Sequence, residues 1–335
     1  MPKQTQTLKL SKTSIERYMQ CPMLWYFSYV EKLPSRTDYP RLCGVQVHRF
    51  IAGLYKEHPS NRRFWYQNLN TARKAWIYTW KRALEENRSL ILNPDIEMEK
   101  KYAGIGCICI QNYWNQNIGE DNDPISIEKQ FTIPLDYPNL KGVSLSGVFD
   151  QIRTVNLSWL NKRRPEIFAG EKLLPTYDPV LIVDLKTGWS DFDISDDDSD
   201  LVKVRKQFEI QLGIQGAAYS LLYKKVFGKF PAGFLIYPLR LDKKQSIFIK
   251  GDEEGPQTVL RENVFHIVEN IRNRSFPRNV TANCRRCDFY MECRPNGAMN
   301  VSLPDAIPKS ISPPEEAHNE KIIQMKLPFE KAKRK

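Results

Sequence analysis

The chain of 335 residues has no apolar run approaching the length of a membrane-spanning helix; its longest candidate, Ile105–Ile110, is far too short. The opening stretch Met1–Leu10 is polar and lacks the apolar centre of an export signal. These two absences predict a cytoplasmic protein without a membrane partner. A phosphate loop of the form Gly-x4-Gly-Lys-Ser/Thr is missing as well. Gly228-Lys229-Phe230 fails that pattern, so the chain carries no recognisable ATP-driven motor. Acidic charge is in the minority, 39 Asp and Glu against 50 Lys and Arg, and the net charge of +11 favours a polyanionic partner. Seven cysteines without an export signal point to a reducing compartment, where clustered thiols serve metals more often than disulfides.

What is present suffices for a sizeable core. With 41% hydrophobic and 27% charged residues, one large domain, or one core with a helical addition, is expected. The most informative stretch is Val180-Leu181-Ile182-Val183-Asp184-Leu185-Lys186-Thr187-Gly188, a buried strand delivering a carboxylate and an ammonium to a glycine turn. Alternation puts Asp184 and Lys186 on one face and Leu185 on the other. Upstream, Val143–Asp150 reads as a second strand ending in a carboxylate. Two such carboxylates could share one Mg2+. The plain alternative is an Asp184–Lys186 ion pair beside an unrelated turn aspartate.

Helices flank these strands. Thr13-x2-Glu16 reads as a capping box, and Pro22 divides the helix it opens. Leu42–His58 places Gly44, His48, Ile51 and Tyr55 on one face. Between Asn61 and Ile118, Phe64, Trp65, Trp76 and Trp80 interleave with Arg62, Arg63, Arg73, Lys74, Lys81 and Arg82, broken at Asn93-Pro94. Such aromatics could stack bases; the favoured reading is core aromatics beneath a solvated charged face. Cys107 and Cys109 read as packing residues. Ile125–Leu135 and Val143–Val155 predict a hairpin, and Asn156–Pro179 an insertion that could cover the site or recognise substrate, a choice the sequence does not decide. The acidic run Asp191–Asp200 reads as a solvated loop. Lys203–Phe227 then carries Gln211, Gln215 and Tyr219 at four-residue steps on one helical face. Further strands are expected at Ala232–Leu239 and Ser246–Lys250, and a helix at Val259–Arg274.

Cys284-x2-Cys287-x5-Cys293 packs three thiols into ten residues, a metal-ligating pattern whose fourth ligand is open. His318 is a poor candidate and Cys21 a better one. No second Cys-x2-Cys pair supports a zinc ribbon. Beyond Asn300 the composition shifts to Pro, Ser, Glu and Lys, as in a flexible tail. Within it, Gln324, Met325, Leu327, Pro328 and Phe329 form an apolar patch that resembles the short motif by which bacterial replication proteins dock onto the sliding clamp.

Taken together, Gly44-x3-His48, Gly147-x2-Asp150, Asp184-Leu185-Lys186 and the helix with Gln211, Gln215 and Tyr219 resemble the RecB-like branch of the PD-(D/E)XK nucleases. Cys21 with Cys284, Cys287 and Cys293 resembles the iron–sulfur bracket of its AddB-type and CRISPR-adaptation members. The resemblance implies an α/β, restriction-endonuclease-like mixed central sheet flanked by helices, with an added helical region and a four-cysteine bracket. It implies Mg2+ or Mn2+ on His48, Asp150, Asp184 and the Leu185 carbonyl, with Lys186, Tyr219 and either Gln211 or Gln215 beside it. It also implies a 4Fe-4S cluster on the four cysteines. The expected division is 1–30 with the first cysteine, 31–120 helical, 121–276 nuclease core, 277–300 cysteine segment and 301–335 tail. The expected activity is metal-dependent DNA cleavage, from single-stranded ends, in repair, recombination or mobile-element metabolism. Unwinding would fall to a helicase partner. The alternatives are a CRISPR-adaptation nuclease and a non-cutting iron–sulfur DNA-end or clamp-associated scaffold.

Overall fold

A computed structural model describes residues 8–56, 68–91, 94–117, 123–188, 199–241, 246–280, 284 and 287–293, with backbone only for 199–212. Several predicted features therefore lie outside the described residues: Arg62, Arg63, Phe64, Trp65, most of the acidic run, the Gln211 side chain, His318, and the patch of Gln324, Met325, Leu327, Pro328 and Phe329.

The chain begins with β1 (Leu8–Ser11), α1 (Lys12–Gln20), α2 (Pro22–Tyr29), α3 (Tyr39–Lys56), α4 (Leu69–Asn87) and α5 (Ile96–Asn117). The hairpin β2 (Ser126–Pro134) and β3 (Val143–Thr154) follows, then α6 (Leu157–Arg163) and the small strands β4 (Phe168–Ala169) and β5 (Lys172–Leu173). It ends with β6 (Tyr177–Lys186), α7 (Ser199–Phe227), β7 (Phe230–Pro238), β8 (Ile247–Ile249) and α8 (Glu254–Arg272). The expected mixed α/β sheet is present. β6 and β7 run parallel across α7, while β3 is antiparallel to both β2 and β6.

Alternation along β6 divides the core. Val180 and Ile182 join a layer built from α1, α2, α7 and α8. Leu181, Val183 and Leu185 face α3, α4 and α5. This two-sided burial accounts for the apolar run read from sequence. Trp76 and Trp80 are buried in the second layer, their indole N–H groups donating to the carbonyls of Ala103 at 2.9 Å and Glu99 at 3.0 Å. They are core aromatics and present no face to a base. No helix among the described residues is long and apolar enough to cross a membrane.

Two local expectations shift. The capping box of α1 is Ser11 with Ser14 rather than Thr13 with Glu16, the two serines exchanging hydrogen bonds with each other's backbone N–H. The extended backbone of Ser11 closes β1, so the helix starts two residues earlier; Glu16 pairs instead with Lys12 at 3.2 Å. The stretch between β3 and β6 neither covers nor lines the site. It follows the last residue of β3 and precedes the first of β6, at the end of β6 remote from Asp184. Arg164 anchors it there, donating to the Ala232 carbonyl at 3.0 Å and to Asp252 at 2.9 Å.

Candidate active site

β1 and β6 occupy the same edge of β3, since each pairs with it on the side away from β2. β1 covers Val143–Ser146 and β6 covers Gln151–Thr154. Between them Gly147, Val148, Phe149 and Asp150 have no ladder partner on that edge, and the site forms in this gap. Asp150 and Asp184 would be the next register pair after Gln151 with Val183, but the ladder stops short of them. In its place Asp150 Oδ2 accepts the Leu185 N–H at 2.7 Å.

Each side chain arrives for a local reason. Asp184 and Lys186 share a face of β6, and Lys186 Nζ lies 2.6 Å from Asp184 Oδ2. Gln215 of α7 donates to the other oxygen of Asp184 at 2.6 Å. Tyr219, one turn further, is buried against Phe149 and Phe234, at ring separations of 5.1 and 5.5 Å. Gly147 makes room for it: a Cβ there would lie 2.8 Å from Leu222 Cδ1 and 3.2 Å from the Tyr219 ring. Gly44 plays the same part for α3, where a Cβ would meet Thr187 Oγ1 at 2.9 Å. Helix α3 thus closes on the end of β6, and one turn later His48 Nδ1 stands 3.4 Å from Asp150 Oδ1.

One residue absent from the sequence reading joins this set. Glu128 of β2 comes within 3.8 Å of His48 Nδ1. His48, Glu128 and Asp150 each offer a ligand atom within 4.8 Å of the others. The only advance signal was register, since Glu128 falls opposite Asp150 in the hairpin between the pairs Ile127 with Gln151 and Lys129 with Phe149.

Burial and charge act against each other here. Burial disfavours the His48 imidazolium, but the Asp150 and Glu128 carboxylates outweigh it and push its pKa up to about 10. Burial raises the Asp150 carboxyl, opposed by His48. Burial likewise disfavours the Lys186 ammonium, yet Asp184, then Asp150 and Glu16, hold its pKa above the ordinary lysine value. Burial and the two aspartates keep the Tyr219 phenol firmly neutral. Asp184 Oδ2, shielded from solvent, receives no directed hydrogen bond: Lys186 Nζ is close but badly angled for one. Buried carboxylate oxygens, one imidazole and an unsatisfied lone pair make a donor set suited to a hard divalent cation such as Mg2+ or Mn2+.

A family model, that of the PD-(D/E)XK nuclease superfamily, matches residues 9–160 and 176–294. The chain belongs to the PD-(D/E)XK nuclease superfamily. Membership implies a phosphodiester hydrolase that works with a divalent metal. The residues the match skips, 161–175, lie within the stretch between β3 and β6, an insertion into the nuclease fold. No curated protein matches the chain significantly.

The match does not single out an iron–sulfur branch of the PD-(D/E)XK nucleases. Among the described residues no three of Cys21, Cys284, Cys287 and Cys293 place their sulfurs within 4.8 Å of one another. The thiols make separate contacts instead. The Asn279 N–H donates to Cys21 Sγ at 3.4 Å, and Cys284 Sγ donates to the Asn279 carbonyl at 3.7 Å. Burial, then Asp288 and the neighbouring sulfurs, raise the pKa of Cys287; burial, then the neighbouring sulfurs, raise that of Cys293. Cys109 is buried as expected of a packing residue, and Cys107 partly so.

Proposed function

We propose that the chain is a divalent-metal-dependent deoxyribonuclease that shortens DNA from single-stranded ends. The observation that carries this is the meeting of Asp150, Asp184 and Lys186 in the gap on the edge of β3. Asp150 and Asp184, with His48 and the Leu185 carbonyl, would hold Mg2+ or Mn2+. When bound, the ion polarises the scissile phosphate and activates water. Lys186 stands where its ammonium can meet the negative charge that develops on the phosphate oxygens. Gln215 fixes the orientation of Asp184, and the neutral Tyr219 phenol backs Gln215. Gln211 lies one turn earlier on α7 and would hydrogen-bond a substrate phosphate.

Single-stranded substrate is supported by the net charge of +11, by the lack of a motor motif and by the resemblance to RecB-like enzymes. A helicase partner would supply such strands from duplex. The test is cleavage of end-labelled single-stranded DNA with Mn2+, comparing the natural protein with Lys186→Ala. Binding by both without cutting by either would sink the enzyme reading and favour the scaffold.

A 4Fe-4S cluster on Cys21, Cys284, Cys287 and Cys293 belongs to the same reading. It is supported by the shared neighbour Asn279, which contacts both Cys21 and Cys284. A cubane places its thiolates on four different irons, so it tolerates sulfurs spaced too widely for one ion. Iron and sulfide analysis of anaerobically purified protein tests it. Clamp docking through Gln324, Met325, Leu327, Pro328 and Phe329 rests on sequence alone, and loss of clamp binding on deleting residues 324–329 is its check.

A further inference from the structure

The two sides of β1, β3 and β2 differ in what they carry. Leu10, Leu145, Phe149 and Ile133 point into the layer of α1, α2, α7 and α8, whereas the second layer takes no residue from β1 or β3. Among the described residues, the opposite side of these strands therefore has no core packing, and alternation fills it with polar side chains. This open face ends at Glu128, whose φ of +46° lies in the left-handed region. Beyond that point Ile127 turns into the second layer, and Gln151 and Arg153 hydrogen-bond Tyr113 of α5. The face thus stops where His48, Glu128 and Asp150 meet.

Register fixes the order of its side chains. Lys9 stands across from Ser144, and Ser146 and Val148 follow along β3 towards Asp150. On the other flank Thr132 lies opposite Ser146 and Gln130 opposite Val148, both exposed. At the rise of a strand, Lys9 is about 20 Å from Asp150 and Val148 about 7 Å. Lys9 is exposed and pairs with no carboxylate among the described residues, and no acidic side chain follows it on this face before Glu128. Val148 is 37% exposed. A lone surface valine calls for no explanation in general. This one sits two residues from Asp150, in the gap where β1 has ended and β6 has not begun, so the edge of the strand beside it is open as well.

We infer that this face is the track along which a single strand of DNA reaches the centre, with a backbone phosphate on Lys9 and the nucleotide nearest the centre against Val148. The inference deepens the nuclease reading and rests on it for the substrate. A cation without a countercharge suits a polyanion. The exposed amide of Gln130 and hydroxyl of Thr132 offer donors to phosphate oxygens. An apolar contact at Val148 serves an unstacked base, which a single strand presents and a duplex keeps inside. Continuity with Asp150 delivers whatever lies on the face to the catalytic groups.

The experiment is fluorescence anisotropy of the full chain with a labelled single-stranded DNA of about 20 nucleotides and with the matching duplex, in EDTA so that binding is read without cutting. The natural protein should prefer the single strand. Lys9→Ala should reduce the slope of log K against log salt by about 0.7, the share of one phosphate contact on a single strand, and Lys9→Arg should restore it. A lysine with a structural role only would leave that slope unchanged. Val148→Asp should weaken binding by about tenfold or more, while Val148→Thr stays close to the natural protein. Should Val148→Asp fail to fold, Val148→Ser carries the comparison. In cleavage assays the same losses should fall on KM rather than kcat. Unchanged affinity and salt slope in the Lys9 and Val148 variants, or a preference for duplex, overturns the track. Single-strand binding that depends on Lys9 and Val148, in a protein that never cuts, would retain the track and defeat the nuclease reading. Cleavage of single strands indifferent to both residues would do the reverse.

Discussion

Asp150 Oδ2 accepts the Leu185 N–H at 2.7 Å, so a side chain of β3 restores the hydrogen bond that β6 loses as the two strands part. The same carboxylate presents its second oxygen to His48. Structural and chemical duties therefore coincide in one residue, and substitutions can separate them.

Asp150→Asn retains a carbonyl acceptor for Leu185, whereas Asp150→Ala leaves that N–H without a partner. We expect the alanine variant to be less stable than the asparagine variant by about 1–3 kcal/mol in metal-free urea unfolding. Both should lose Mn2+-supported cleavage. Equal stabilities would show that the bond contributes nothing.

Lys186→Ala should slow cleavage by about 10²–10³-fold, the usual effect of removing one group that meets transition-state charge. Because the ammonium sits 2.6 Å from Asp184 Oδ2, its removal also frees that carboxylate. Calorimetry should find Mn2+ bound at least as tightly as before. Weaker binding would mean that Lys186 supports the metal site.

Gln215→Leu removes the donor to Asp184 Oδ1 and leaves a buried carboxylate oxygen bare. Stability should fall by about 1–3 kcal/mol, and Mn2+ affinity by about 10- to 100-fold. A variant with unaltered metal affinity would assign Gln215 a packing role only.

His48 gives the metal-free protein a defined pH response. Its pKa rises from 6.5 to about 10 on folding. A raised pKa means that its contribution to stability is complete below pH 6.5 and is lost as the pH climbs towards about 10. Unfolding in EDTA across this range should show the decline in the natural protein and a flatter profile in His48→Gln. Metal binding should trend the other way, since a ligating imidazole must be neutral. Mn2+ affinity that did not increase from pH 6.5 upwards would remove His48 from the ligand set.

Much of this was legible in the residues themselves. The apolar run into Asp184-Leu185-Lys186 required a two-sided buried strand whose alternation pairs the acid with the amine, and that is how β6 lies. Helical spacing put Gly44 and His48 on one face and Gln215 and Tyr219 on another, and both pairs meet the site. Periodicity is a local property, so a linear string carries it. The packing of Trp76 and Trp80 was readable for the same reason, whereas the start of α1 at Ser11 depended on where β1 ended.

Glu128 was beyond that reading, because nothing in its own neighbourhood distinguishes it from any charged residue on a half-exposed strand. Its place is decided by the pairing of β2 with β3, by a left-handed backbone that re-aims the strand, and by a helix some eighty residues earlier that delivers His48. The opening between β1 and β6 on the edge of β3 is likewise a relation among three distant segments. Local pattern determined which side chains could bear chemistry; only the long-range closure of the sheet decided which of them share a common space.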